Sequence, residues 1–328
     1  HPETGRNVLF ANPVYTLGIS GMKAEESRPI LDYLYSVALA PAFTCRMRWT
    51  PGTLAIWDNR CVWHQPVSDY FGARREMYRT TVVGAERAPR AAIAETHQIA
   101  NLQQAYSAQQ HWQRLSLAQG DSVRGYKLGV SNPAVQAKLG LPGPLQGVLM
   151  ASGLRQAGQE LNYRDFIAPR AEIEVAMVFA HELTDPELDR SQLIAALQTV
   201  VPALEVCDSA IAGWPTTIFD AVADNLSSGA YVLGNQQNVP GALDLSQLIA
   251  TLEINGEPVA EGNTGSAMGD PLEACLWLVR DRLKQGISIK TGDIILTGAL
   301  TGLHPIAAGD QLTLRMGKLG EVSCSFNA

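Results

Sequence analysis

The sequence predicts a mixed α+β fold, rich in strands, for most of the chain, preceded by a smaller piece of different character. Three observations predict it. The run Pro169 to Ala180 is apolar enough for a buried strand, apart from Glu172 and Glu174. The pair Asn255-Gly256 sits between strand-like residues, the strongest short hairpin signal. Asp270-Pro271 opens a segment with one apolar face, Leu272, Cys275, Leu276, Val279 and Leu283, which reads as a capped helix closing near Gly286. A length of 328 residues suggests two domains.

From the N-terminus, Glu25 to Leu39 carries helical spacing through Ile30, Leu31, Leu34 and Val37. Cys45 to Trp49 and Thr53 to Trp57 flank a Pro51-Gly52 turn and read as a hairpin, and Glu76 to Val83 as a strand. The alanine-rich stretch around Pro89 marks a boundary, which gives a first part at 1–88, a linker at 89–97 and a second domain at 98–328. In that domain Gln98 to Leu117 reads as an amphipathic helix stopped by Gly120, and Gly125 to Val130 as a short strand. Ser191 to Val201 is expected to be helical, with Leu193, Ile194, Leu197 and Val201 on one face. From Gly292 to Phe326 several short strands are punctuated by Gly298, Gly309 and Gly317.

The net charge of −7 is uneven. Residues 1–90 hold 11 of the 25 Lys and Arg and 8 of the 32 Asp and Glu, which leaves 14 against 24 for the rest. So small a basic excess argues against a nucleic-acid partner. Five scattered cysteines without C-x-x-C spacing read as reduced thiols of a cytoplasmic protein. No apolar run reaches membrane-span length, and the first residues lack a signal-peptide layout. A start at His1 leads us to expect a fragment or a processed chain.

Glu172 and Glu174 are one residue apart, so in a strand they share a face while Ile173 and Val175 take the other. One reading is the wet face of a half-exposed strand. The other is a metal site, because carboxylates inside an apolar element are costly without a compensating positive charge. Two features favour the metal: the run continues to Ala180 with no further polar residue, and Glu205 recurs as an isolated acid in Val200 to Val206. Three acids suit a hard, oxygen-seeking ion, Mg2+ or Mn2+.

Further segments carry a resemblance. They are Gly125-Tyr126-Lys127-Leu128-Gly129-Val130, Pro202-Ala203-Leu204-Glu205-Val206-Cys207-Asp208-Ser209, Val222-Ala223-Asp224-Asn225, and Thr291-Gly292-Asp293-Ile294-Ile295-Leu296-Thr297-Gly298-Ala299-Leu300. From about residue 95 to the end the chain resembles the 2-hydroxypenta-2,4-dienoate (2-keto-4-pentenoate) hydratases of the fumarylacetoacetate hydrolase superfamily. The resemblance implies a mixed β-roll or sandwich with flanking helices, built as a homo-oligomer, with Glu172, Glu174 and Glu205 holding Mg2+ or Mn2+. It makes Lys127 the acid/base group. A lysine is more often a surface residue, but Gly125 and Gly129 favour close approach to a ligand. A pKa lowered by desolvation and the cation is expected of it. Asp224, Asn225, Ser228 and Thr297 are expected to line the pocket, although an Asp-Asn pair also serves as a turn or cap.

The reaction implied is addition of water to 2-hydroxypenta-2,4-dienoate, giving 4-hydroxy-2-oxopentanoate, as in aromatic meta-cleavage catabolism. The substrate is a small 2-oxo or 2-hydroxy dienoic acid. The same scaffold also resembles the 2-oxo-3-enedioate (4-oxalocrotonate) decarboxylases. A carbon–carbon hydrolase would want a histidine, and His97, His111, His181 and His304 stand in no motif for that role.

Residues 1–88 resemble the C-terminal part of the taurine dioxygenase family, Fe(II)/2-oxoglutarate enzymes with a jelly-roll fold, through Trp57-Asp58-Asn59-Arg60, His64 and Arg74-Arg75-Glu76-Met77-Tyr78-Arg79. The likeness makes His64 an iron ligand, Arg75 the partner of a carboxylate and Arg79 a substrate contact. That family's site needs two histidines and a carboxylate, of which the matched stretch supplies one imidazole. A vestigial dioxygenase fragment, or a catalytically silent fusion, is the expectation.

Overall fold

The computed structural model describes residues 7, 11–13, 16, 18–48, 50, 53, 55, 57–58, 62, 64, 89–236, 238, 240 and 244–327. It divides into two compact units, His1–Glu86 and Arg87–Ala328.

In the first unit, helix α1 (Ala24–Ala38) covers the segment with helical spacing, and its buried residues are Ser27 and Leu31. The Glu26 carboxylate accepts from the Lys23 backbone N–H at 2.9 Å, which fixes the helix start. The described residues of the two expected hairpin arms form no strand. The expected strand Glu76–Val83, with Arg75 and Arg79, lies outside the described residues.

The second unit begins with α2 (Ile93–Thr96), α3 (Leu102–Ala118), β1 (Val123–Gly129), α4 (Pro133–Leu139), β2 (Leu145–Met150), β3 (Leu154–Arg155), β4 (Glu160–Leu161) and β5 (Arg170–Phe179). It continues with α5 (Arg190–Ala196), β6 (Leu197–Cys207), α6 (Ile218–Ala223), β7 (Ser228–Leu233), β8 (Ile249–Ile254), β9 (Glu257–Asn263) and α7 (Pro271–Lys284). Four short strands close it: β10 (Ile294–Leu296), β11 (His304–Pro305), β12 (Gln311–Arg315) and β13 (Glu321–Phe326). One mixed sheet runs β2-β1-β10-β5-β6-β7-β3, with β11 also on β5, and a second runs β4-β13-β12-β8-β9. No described helix is long and apolar enough to cross a membrane.

The odd residues of β5, Ile173, Val175, Met177 and Phe179, pack with Leu204 and Val206, with Leu252, Leu312 and Leu314 of the second sheet, and with α7 in the main core. The opposite face of the first sheet holds a smaller cluster, Leu149, Ala176, Val201, Ala203, Tyr231, Ile294 and Leu296. By alternation Glu172 and Glu174 belong to this second face.

The hairpin and the α7 cap form where local chemistry demands. Asn255 and Gly256 both take positive φ, 56° and 84°, between β8 and β9. The Asp270 side chain accepts from the Leu272 N–H at 2.9 Å, with Pro271 at the first turn. One expectation fails: the helix predicted over Ser191 to Val201 ends at Ala196, and Leu197 starts β6. Thr199, Val200 and Val201 are β-branched, and pairing Val200 with Met177 of β5 outweighs one more helical turn. Pro202 is tolerated inside β6 because β7 pairs only as far as Ala203, and the Pro202 carbonyl accepts from Gly234 beyond the end of β7.

Candidate functional site

The β5–β6 ladder places Glu172 directly opposite Glu205 and Arg170 opposite Cys207. Arg170, Glu172 and Glu174 alternate along one strand and Glu205 and Cys207 along the next, so all five occupy one face. Lys127 enters from β1, where Tyr126 and Leu128 on either side point into the main core and turn the lysine the other way.

Lys127 and Glu205 are only 2% and 0% exposed, and Lys127 Nζ donates to Glu205 Oε1 at 2.6 Å. A second bond runs from Nζ to the Leu226 carbonyl at 3.3 Å. Glu174, fully buried, accepts the Gly298 backbone N–H on Oε2 at 2.7 Å. Glu172 keeps some exposed surface, although its carboxyl end is densely enclosed by protein, and it accepts from Cys207 Sγ at 3.3 Å.

Three carboxylates face one ammonium, so full ionisation leaves an excess of two negative charges in a buried site. Burial, then the neighbouring Glu205 charge, pushes the Glu174 carboxyl well above the usual range, against the pull of Lys127. Burial also raises Glu172, against Lys127. In the chain alone, burial acts to lower the Lys127 pKa, while Cys207, Glu205, Glu172 and Glu174 act to raise it, and the net direction is upward.

The donor set fits a hard divalent ion. Glu174 Oε1 and Glu205 Oε2 are buried without a hydrogen-bond partner, a costly arrangement for carboxylate oxygens unless a cation takes them. Glu172, Glu205 and Cys207 each offer a ligand atom within 4.8 Å of one another. Glu174 stands outside that tight group, and Cys207, not foreseen, stands inside it.

The glycines flanking Lys127 have another task than the one expected. A Cβ on Gly125 would collide with the Ile294 carbonyl of β10, and one on Gly129 would strike Leu226, so both serve packing within the fold. The glycine that makes room for the lysine is Gly147 of β2, where a Cβ would come within 2.9 Å of Lys127 Cγ.

Asp224 and Asn225 are committed to the fold. Asp224 accepts from the Ser209 and Ser227 hydroxyls at 2.6 and 3.1 Å. Asn225 bridges the β2 backbone in both directions, accepting from Val148 N at 2.8 Å and donating to Val148 O at 2.9 Å. This pins a left-handed turn in which Asn225, Leu226 and Ser227 all have φ near +53°. The turn presents the Leu226 carbonyl to Lys127. Thr297 is fully buried and donates to the Val175 carbonyl at 3.1 Å, while Ser228 is half-buried at the start of β7.

Arg170, like Cys207, lies on the site face and was missed. Its guanidinium stacks over Trp214, 4.2 Å from the ring centroid. Strand parity from Glu172 and Glu205 would have found both residues. The Gly298 N–H is a backbone donor, for which residue type gives no signal. Two surface hollows among the described residues, one lined around Asp121 and one around Arg155, include none of these residues. Buried charge marks the site. In the first unit His64 is exposed, with its ring 4.9 Å from that of Trp57.

Residues 136–327 match the fumarylacetoacetate hydrolase C-terminal family, and residues 1–81 the taurine catabolism dioxygenase TauD, TfdA family. Over 251 residues the chain is 36% identical to a TodF product hydratase of Pseudomonas putida, covering 76% of this chain and 92% of that protein. It is 35% identical over 238 residues to a 2-hydroxyhexa-2,4-dienoate hydratase of Comamonas testosteroni, covering 72% and 90%. Among solved structures, the 4-oxalocrotonate decarboxylase from Pseudomonas putida G7, complexed with magnesium and adipate, is similar with a TM-score of 0.68 and 29% identity, over 73% of this chain and 91% of that one.

Proposed function

The chain belongs to the fumarylacetoacetate hydrolase family, and from that premise we propose that it is a metal-dependent hydro-lyase that adds water to 2-hydroxypenta-2,4-dienoate. The observation that carries the reading is the pair of buried, unpartnered carboxylate oxygens beside a buried lysine. Relatives named as dienoate and 2-keto-4-pentenoate hydratases support the choice of reaction.

Glu172, Glu174 and Glu205 would hold the ion, for which Mg2+ or Mn2+ suits an all-carboxylate set. Once bound, it supplies Lewis-acid polarisation of a 2-oxo carboxylate. The remaining work falls to the chain. Lys127 has two of its N–H groups on Glu205 and Leu226 and a third left for substrate. As the dienol ketonises, Lys127 gives a proton to the far carbon, and the enol hydroxyl proton restores the ammonium. Water then adds across the C3–C4 double bond, its oxygen to C4 and a proton to C3, giving 4-hydroxy-2-oxopentanoate. The left-handed turn at Asn225–Ser227 keeps the lysine on this line by fixing its carbonyl acceptor.

The proposal extends to a cytoplasmic homo-oligomer, for which exposed Trp112, Leu115 and Leu117 of α3 offer apolar surface. For the first unit, which matches the taurine catabolism dioxygenase TauD, TfdA family over residues 1–81, we propose His64, Arg75 and Arg79 as the residues that correspond to that family's site. The test is consumption of 2-hydroxypenta-2,4-dienoate by the protein with Mg2+ or Mn2+, followed by loss of its ultraviolet absorbance and by recovery of 4-hydroxy-2-oxopentanoate. CO2 release from 4-oxalocrotonate without hydration would instead select the decarboxylase reading, which the similar solved structure keeps in view.

A further inference from the structure

Cys207 shares the face of the acid group, and hydration has no use for it. It is 1% exposed, and its Sγ lies 3.3 Å from Glu172 Oε2. A lone thiol would carry nothing. Here Sγ and one oxygen from each of Glu172 and Glu205 lie within 4.8 Å of one another, and Glu205 Oε2 is buried without a partner. Continuous pairing of β5 with β6 from Arg170–Cys207 through Glu172–Glu205 fixes these three donors on adjoining strands. An oxygen-only ion gains little from sulfur, whereas Zn2+, Co2+ and Cd2+ bind thiolate strongly.

We propose that Cys207 gives this site a second binding mode, in which a thiophilic divalent ion is held by the Cys207 sulfur together with Glu172 and Glu205. The inference rests on the reading that these carboxylates form a cation site, and it adds a chemically different occupant. On binding, the S–H bond breaks, a sulfur–metal bond forms and the proton leaves to solvent, with no change of oxidation state. Because Glu172 and Glu205 are shared, the thiophilic ion and the hard ion exclude each other.

The experiment uses the full chain, stripped of metal and titrated with Co2+ and then Cd2+, with thiolate-to-metal charge-transfer absorption as the readout. The wild type is expected to develop the band, and excess Mg2+ to bleach it. Cys207→Val, of similar size and checked for fold by circular dichroism, is expected to lack the band. Its Cd2+ affinity should fall at least about tenfold, the lower end of what loss of even an outer partner costs. Its Mn2+ affinity, read by electron paramagnetic resonance, is expected to change less than about threefold on the same hard/soft argument. Should Cys207→Val fail to fold, Cys207→Ser and the cadmium-113 chemical shift of the wild type take its place, a thiolate-ligated resonance being expected. No band in the wild type, a band undiminished in Cys207→Val, or a band indifferent to Mg2+ would each overturn the proposal. None of these readings involves turnover, so a missing band leaves the hydratase proposal standing, and a missing hydratase activity leaves the band standing.

Discussion

Ile173 and Glu174 are consecutive residues of β5, both wholly buried, and they live in opposite chemical worlds. Ile173 joins Val175, Met177, Leu204 and Val206 in a core closed by the second sheet and α7. Glu174 shares its face with Glu172, Glu205, Cys207 and Lys127, where two carboxylate oxygens have no partner. The first face lowers the free energy of the fold by removing hydrocarbon from water. The second raises it, by holding like charges together out of water. One strand can do both because side-chain direction alternates with period two, so stability and chemistry are separated by one residue of sequence. The difference teaches that a site strained by its own charge survives only on a scaffold with stability to spare.

Exchanging single residues across the strand gives the largest expected effects. Glu174→Gln keeps an acceptor for the Gly298 N–H and removes an acid whose charged form burial and Glu205 disfavour. Without metal, its melting temperature is expected to rise above that of the wild type. Turnover and Mn2+ affinity are expected to fall, turnover by about 10²–10³-fold, the range seen when one electrostatic stabiliser is lost. Ile173→Ala should do the reverse, lowering stability by about 2–5 kcal/mol while the folded fraction still binds Mn2+. Thermal melts with and without Mn2+ check both. If Glu174→Gln melted lower than the wild type in metal-free buffer, the claim that this face is under charge strain would fail.

Much of this contrast was legible in the sequence. Glu172, Glu174 and Glu205 stand out because charges in apolar runs are rare, and the Asn255-Gly256 hairpin and the Asp270 cap are local signals that local structure obeys. The boundary at Ala196 was not legible, since Leu197 and Val201 fit a helical face as well as they fit β6 until β5 is present to pair. Nor could the sequence show that Lys127 meets Glu205, 78 positions away. The hydrogen bonds of Asp224 and Asn225 were not legible for the same reason. Their partners, Ser209 and Val148, are brought close only by the tertiary fold.

A middle-sized effect is expected at the left-handed turn, which couples the two faces to the lysine. Asn225→Ala leaves the Val148 N–H and carbonyl without side-chain partners inside the protein and removes a residue tolerant of positive φ. A loss of about 1–3 kcal/mol in urea unfolding is expected from the unsatisfied groups. If the turn positions Lys127 through the Leu226 carbonyl, turnover falls while Mn2+ affinity holds, since no carboxylate ligand has moved. Equal losses in both would mean that the turn supports the metal site as a whole, and the positioning role would be withdrawn.

A last effect concerns Asp224, a half-buried acid outside the set of carboxylates proposed to hold the ion. Burial lifts its pKa to about 6 from 3.8, against the opposing pull of hydrogen bonds from Ser209, Ser227 and Ala210. The folded chain therefore holds a proton there over a pH range in which the unfolded chain has already lost it. Stability from this group is complete below about pH 4 and is lost as the pH rises through about 6, to the extent of at most about 3 kcal/mol. Asp224→Asn cannot titrate, so the wild type should lose stability relative to the variant between about pH 4 and pH 6.5 and run parallel to it above. Urea midpoints across that range measure the difference, which cancels the titration of every other group. A difference that stays flat would show that the hydroxyls of Ser209 and Ser227 keep Asp224 ionised throughout, and that strain from buried charge is confined to the metal face of β5 and β6.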